Sequence, residues 1–391
     1  MVPIIKESPM IYLDHNATTP IAPDVFEVMR PFLTEAFGNP SSNHTLGRDT
    51  RKAVNDAREA TAELLGAASL DEIVFTSGGT ESNNWALNGA VETQGRSHMI
   101  ISPVEHEAVR NPCIRLANEG HTLTVLTVDE VGSLDLDELR NSIQRDTAIV
   151  SLMHANNETG VIFPVAEIAE LVKERSNALF HVDGVNAAGK IRIDLKMTEI
   201  DLYSISGHKF NGPKGIGALY IRQGVKIPSR LLGGGQEYRR RAGTEAVHQI
   251  AGMGAAARFA SDLSDMPRLA QMRDKLEKEL LEKVPNSRLN GTSDPSRRLP
   301  NTTNLSFENV NGEMIQARLD EKGIYVSTGS ACSSIDHKAS PVLAAMDVPY
   351  SYQMGSIRFS FGRTNRLEEV DHVLATIPSV IEELRKMATG E

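Results

Sequence analysis

The run Glu72-Ile73-Val74-Phe75-Thr76-Ser77-Gly78-Gly79-Thr80-Glu81-Ser82 sets the fold class. Its first residues read as a buried strand, the Gly-Gly pair turns the chain, and a helix is expected to begin near Glu81. The same grammar repeats outward. Met99-Ile100-Ile101-Ser102, Leu123-Thr124-Val125-Leu126, Ala148-Ile149-Val150-Ser151-Leu152, Leu179-Phe180-His181-Val182, Leu202-Tyr203-Ser204-Ile205 and Gly217-Ala218-Leu219-Tyr220-Ile221 read as further strands. Residues 165–174 have helical spacing. Short apolar runs alternating with helices predict an α/β domain on a mainly parallel sheet.

Past residue 262 the pattern changes. Leu269, Met272, Leu276 and Leu280 recur at spacings of three and four, so residues 262–284 are expected to form one long amphipathic helix. Residues 290–304 are polar and contain proline, and read as loop. Short strands at Leu305-Ser306-Phe307, Ile324-Tyr325-Val326 and 357–361, with a closing helix around 367–387, predict a second, smaller α+β unit.

The composition bounds the function. A chain of 391 residues suits two or three domains at about 150 residues each. A net charge of −10 argues against broad nucleic-acid binding. Two cysteines exclude a disulfide-stapled secreted scaffold and a cysteine-built zinc domain. No apolar run approaches the roughly 20 residues of a membrane span, and the N-terminus lacks a signal-like apolar stretch, so a cytoplasmic protein is expected.

Six positions invite chemistry, each beside a plainer reading. The glycine turn at 77–80 suits an anion at a helix N-terminus, or is an ordinary strand-to-helix turn. Asp183 ends a strand, where open α/β sheets bind ligands, or it caps a helix. Lys209 follows a strand and precedes Phe210-Asn211-Gly212-Pro213; alone, it reads as a solvated side chain. An Asp at a strand end 26 residues before a Lys suits a pyridoxal phosphate site. There the lysine forms a Schiff base and the aspartate keeps the pyridine nitrogen protonated. His106 is a helix-start residue, or a ring stacked on a flat cofactor that moves protons. Cys332, in Gly329-Ser330-Ala331-Cys332-Ser333-Ser334, sits in small polar surroundings and is expected to be an exposed, chemical thiol, whereas Cys113 reads as buried in a helix. Arg358 alternates with Ile357, Phe359 and Phe361 and is placed to take a carboxylate, or is an exposed sheet-face charge.

Taken in order, these segments resemble the cysteine desulfurases of the NifS and IscS type, class V aminotransferase relatives with the aspartate aminotransferase fold. The likeness also rests on Tyr12-Leu13-Asp14-His15-Asn16-Ala17-Thr18-Thr19-Pro20, Phe37-Gly38-Asn39-Pro40-Ser41-Ser42 and Asn156-Asn157-Glu158-Thr159-Gly160. It continues through Ser206-Gly207-His208-Lys209, Gly212-Pro213-Lys214-Gly215 and Arg240-Arg241-Ala242-Gly243-Thr244-Glu245. The resemblance implies a large domain with a seven-stranded sheet over residues 18–262. It also implies a small domain from residues 1–17 and 263–391 carrying the Cys332 loop.

It further implies pyridoxal 5'-phosphate on Lys209, with Asp183 at the pyridinium nitrogen and His106 stacked on the ring. Asn157 and Asn186 would contact the ring oxygen region. Gly79, Thr80, Ser206 and His208 would hold the phosphate, with Thr244 from a second subunit, hence a homodimer. Arg358 would anchor the carboxylate of L-cysteine, with Asn16 beside it. Cys332 would take the sulfur as a persulfide, leaving L-alanine, for delivery to an iron–sulfur scaffold or other thiolation. A selenocysteine lyase, another pyridoxal enzyme of this fold and a noncatalytic sulfur relay are the alternatives. The chain departs from the family's usual Val-Asp-Ala-x-Gln run, reading Val182-Asp183-Gly184-Val185-Asn186. Asn186 is one methylene shorter than Gln, so its bond to the ring oxygen is expected to be longer or water-bridged. IscS-type members also continue past the last helix with a docking tail, while this sequence ends at Glu391, so a different docking mode or the NifS branch is expected.

Overall fold

The computed structural model describes residues 10–328 and 339–389. A short strand β1 (Ile11–Tyr12) opens the chain. Seven strands then build one sheet: β2 (Ile73–Thr76), β3 (His98–Ile101), β4 (Thr122–Val125), β5 (Thr147–Met153), β6 (Leu179–Asp183), β7 (Leu202–Ser206) and β8 (Gly217–Ile221). Their order is β2-β8-β7-β6-β5-β3-β4. All neighbours run parallel except β8, which is antiparallel to both β2 and β7.

The sheet is covered on both faces, which is why its strands read as apolar runs. On one face Val74, Met99 and Ile101 pack with Trp85, Leu87 and Val109 of helices Gly79–Gln94 and Glu107–Asn118. On the other, Ile73, Phe75, Ile100 and Val182 pack with helices Thr45–Leu65, Val165–Arg175 and Val247–Ser261. The first and last of these cross closely: a Cβ on Gly254 would lie 2.4 Å from the Cα of Ala57. Only glycine allows that approach.

The second layer is a four-stranded antiparallel sheet, β9 (Ser287–Leu289), β10 (Thr302–Phe307), β12 (Ser327–Thr328) and β13 (Ser356–Ser360), in the order β12-β13-β10-β9. Leu269, Met272, Leu276 and Leu280 of helix Met266–Lys283 and Val373 and Ile377 of helix Leu367–Thr389 bury against Leu305, Phe307, Ile357 and Phe359. Ile11 and Leu13 join this core, because β1 pairs in parallel with β11 (Ile324–Tyr325).

Two expectations are corrected. The loop read over residues 290–304 runs into β10, whose first residues Thr302, Thr303 and Asn304 are fully buried. They are polar because they bond across layers: Thr303 Oγ1 donates to Glu277 at 2.7 Å, and Thr302 Oγ1 accepts from Asn16 at 2.9 Å. Glu72, read as strand, instead ends a 3-10 turn, where its carboxylate accepts from the N–H groups of Ala68 and Ser69. The helix expected near Glu81 starts at Gly79.

Candidate active site

The C-terminal ends of the parallel strands converge on one cleft, as open α/β sheets do. Asp183 is the last residue of β6 and is buried. Its Oδ1 accepts from Val185 N at 3.0 Å and its Oδ2 from Asn83 Nδ2 at 2.7 Å. Asn83 was not singled out in the sequence; inside a helix it carries no signal.

Lys209 ends the 3-10 turn that follows β7, and its Nζ donates to the carbonyls of Asn16 at 2.5 Å and Ala17 at 3.2 Å. Ser206 closes β7 and is buried. Its hydroxyl faces the glycine turn: a Cβ on Gly78 would stand 3.7 Å from Ser206 Oγ. Gly78 has φ 152, and the helix it opens has no side-chain cap. The first N–H groups of that helix are therefore offered to an outside acceptor. Gly79 is buried behind the turn and Thr80 is exposed at its rim. His208 Nδ1 lies 3.2 Å from Thr18 Oγ1. Burial first, then Lys209, Lys214 and Lys190, push its pKa down to about 4, so the ring is neutral near pH 7. Arg241 pairs with Glu81 at 2.9 Å, fixing the segment that carries Thr244, which is exposed.

His106 is the N-cap of helix Glu107–Asn118, and its Nδ1 accepts from Ala108 N at 3.0 Å. The helix-start reading is the one seen directly: the ring caps this helix. The cap fixes the neutral tautomer with its proton on Nε2. Glu105, one residue earlier, is buried with Oε1 accepting from Ser102 Oγ at 2.6 Å and Met153 N at 3.0 Å. Burial pushes its carboxyl up to about 8. Raised this far, the carboxyl favours its protonated form near pH 7, and nothing in its sequence context signals that burial.

Arg358 is buried in β13, not on an exposed face. Its Nη2 lies 2.6 Å from Asp14 Oδ1, and its Nη1 donates to the Asn157 carbonyl at 3.0 Å. Asn157 also accepts from Asn16 Nδ2 at 3.2 Å through that carbonyl. The Asn156 side chain shapes this loop, its Oδ1 accepting from the N–H groups of Glu158 and Thr159. Asn16 is fully buried and its amide hydrogens go to the Asn157 carbonyl and Thr302. It therefore meets the site as a strut between layers and through its carbonyl on Lys209.

Asn186 is buried, with Nδ2 donating to the Asn156 carbonyl at 3.1 Å and Oδ1 accepting from Lys190 Nζ at 2.7 Å. Gly184 is small for a visible reason. A Cβ there would sit 1.9 Å from Cε1 of Tyr203, whose hydroxyl bonds His154 Nδ1 at 2.7 Å.

Cys332 lies outside the described residues. Before that segment, Ser327 of β12 pairs with Arg358; after it, Ser340 donates to Glu158 Oε2 at 2.5 Å. Both flanks are thus fixed to the cleft. Cys113 is fully buried in helix Glu107–Asn118 as expected, and burial pushes its thiol up to about 12.

Comparison with known proteins matches residues 11–373 to the Aminotransferase class-V family. A cysteine desulfurase of Nostoc sp. is 48% identical over 382 residues, covering 97% of this chain and 94% of that one. The cysteine desulfurase IscS of Methanosarcina thermophila is 48% identical over 390 residues, covering 98% and 95%. A solved NifS-like protein superposes with a TM-score of 0.90 at 38% identity, over 96% of this chain and all of that one.

Proposed function

The chain belongs to the class-V aminotransferase family, and we infer that it works as a pyridoxal-phosphate-dependent cysteine desulfurase, converting L-cysteine to L-alanine and carrying the sulfur as a persulfide on Cys332. The observation that carries the reading is the meeting of Asp183, Lys209 and an uncapped glycine turn at one sheet end, with buried Arg358 arriving from the second layer.

The residues fit the cofactor. The turn at Gly78 and Gly79, with Thr80, Ser206 and His208, supplies donors for a phosphate. Thr244 adds a hydroxyl from a second copy in a homodimer. Two features support that dimer: Thr244 is exposed, and the same segment leaves Leu232 87% and Tyr238 56% exposed. Asp183 supplies a buried carboxylate for the pyridine nitrogen, held in place by Asn83 and Val185. Asn157 and Asn186 would border the ring oxygen, and His106 would stack on the ring. When bound to Lys209, the cofactor supplies the electron sink that stabilises negative charge at the substrate α-carbon.

The chain's own groups do the rest. Arg358 binds the substrate carboxylate with its remaining N–H donors, held in orientation by Asp14 and the Asn157 carbonyl. Lys209 moves a proton at the α-carbon. His106 offers Nε2–H as a hydrogen-bond donor beside the reacting atoms while Nδ1 serves the helix cap. The Cys332 thiolate attacks the substrate sulfur. An S–S bond forms, the C–S bond breaks, and its electron pair stays with the carbon skeleton, which is protonated and leaves as alanine. The persulfide passes to an acceptor thiol or to an iron–sulfur scaffold in the cytoplasm, a reducing compartment that returns Cys332 to its free form.

The test is incubation with pyridoxal phosphate, L-cysteine and a reductant, measuring alanine and sulfide together. Equal amounts of the two are expected. Alanine without sulfur release, or neither product, contradicts the assignment.

A further inference from the structure

Lys190 lies four residues after Asn186, the position where the chain departs from the usual family run. Gly189, at φ 74, turns the backbone back on itself, and Lys190 N donates to Ala187 O at 3.0 Å. The buried Lys190 Nζ then donates to Oδ1 of Asn186 at 2.7 Å and to Oδ1 of Asn16 at 3.0 Å. Lys190 also lines a cavity together with Lys209, His15 and Asn301. The charged groups that act on Lys190 are Lys209 and Arg358, both cations. Burial, then these two charges, hold its amine well below the usual lysine range. Its two hydrogen-bond partners are both amide oxygens, so the amine acts on them only as a donor.

That arrangement decides which way the Asn186 amide points. The terminal torsion of an asparagine is broad and roughly two-fold, so an untethered amide turns over easily. Here the Asn156 carbonyl only accepts, which assigns Nδ2 to it, and Lys190 holds Oδ1 from the other side. One Nδ2 hydrogen is left over.

We propose that Lys190 is a positioning residue for the cofactor, fixing the Asn186 amide so that its remaining hydrogen serves the cofactor's ring oxygen. The proposal rests on the cofactor assignment above. A short Asn can do this work because a lysine holds its oxygen from behind. A donor at the ring oxygen steadies its negative charge and weakens its hold on the proton of the neighbouring lysine–cofactor nitrogen.

The test reads the visible absorbance of the reconstituted full-length protein as a function of pH, together with cofactor binding. Wild type is expected to show a visible band that titrates. Lys190→Met is expected to raise the midpoint by about one pH unit and weaken cofactor binding about tenfold, the scale of one lost hydrogen bond to a charged group. Asn186→Ala is expected to do the same, and the double variant to add nothing further. Should Lys190→Met fail to fold by circular dichroism, Lys190→Leu, which likewise offers no donor, replaces it in the same cycle with the same non-additivity expected. A wild-type midpoint in the lysine variant, or additive shifts, overturns the proposal. A wild-type protein that takes up no cofactor overturns instead the assignment beneath it.

Discussion

Asp14 and Arg358 are 344 residues apart in sequence and meet at 2.6 Å, Oδ1 to Nη2. Asp14 follows β1 and Arg358 lies in β13, so the ion pair exists only because the N-terminal segment folds into the second layer. Among the described residues, Arg358 spends two of its five N–H donors, on Asp14 and the Asn157 carbonyl, and its Nε has no partner. The guanidinium is thus oriented without being saturated.

Replacing Arg358 with Gln removes the fork that reads a carboxylate. The expected result is a KM for cysteine raised about 30-fold or more, a loss of about 2 kcal/mol, with the cofactor band intact. Asp14→Asn leaves the guanidinium in place but loosens it, so a smaller rise in KM is expected with little change in kcat. Steady-state kinetics on both variants check the order.

The Gly184–Tyr203 contact makes a packing prediction. Gly184→Ala places a methyl 1.9 Å from the Tyr203 ring and is expected to destabilise the fold by about 2–3 kcal/mol, with a lower melting temperature. Tyr203→Phe keeps the clashing ring and should not rescue it. Tyr203→Leu removes the ring and should. Thermal melts of the four proteins decide this.

Glu105 gives stability a pH dependence with a definite sign. Its carboxyl is raised by burial from 4.5 to about 8. Between these values the folded protein keeps a proton that the unfolded chain has lost, so this group destabilises the fold increasingly as pH rises through that window. Glu105→Gln mimics the protonated acid. Its melting temperature relative to wild type is expected to rise from pH 5 to pH 8; a constant difference contradicts the buried neutral acid.

The two thiols should behave oppositely. Cys113 is buried with its thiol raised to about 12, so Cys113→Ala is expected to leave sulfide release unchanged. Cys332→Ala is expected to keep the cofactor band and abolish the release. Parallel sulfide assays separate them.

The strands, and the places of Asp183 and Lys209 beside their ends, were legible because those signals are local. Asp183 and Lys209 stand at strand ends, where chain position already places a side chain at the cleft. Lys190, Glu105 and Asp14 were not legible as partners. A lysine or glutamate in a loop reads as a solvated charge, and only the tertiary fold buries it. Thr302 and Asn304 hid strand β10 for a related reason: their polarity serves a buried inter-layer network, which sequence alternation reads as loop. Tyr203 was read as strand, yet its effect on Gly184 depends on how two neighbouring strands are registered.

The central claim is that sulfur leaves cysteine by way of one thiol. Mass spectrometry of the protein after a single turnover with L-cysteine, without reductant, tests it directly. The account predicts one added sulfur atom on the peptide containing Cys332, none on the peptide containing Cys113, and alanine in equal amount. Sulfide and alanine formed with an unmodified Cys332 peptide would contradict it.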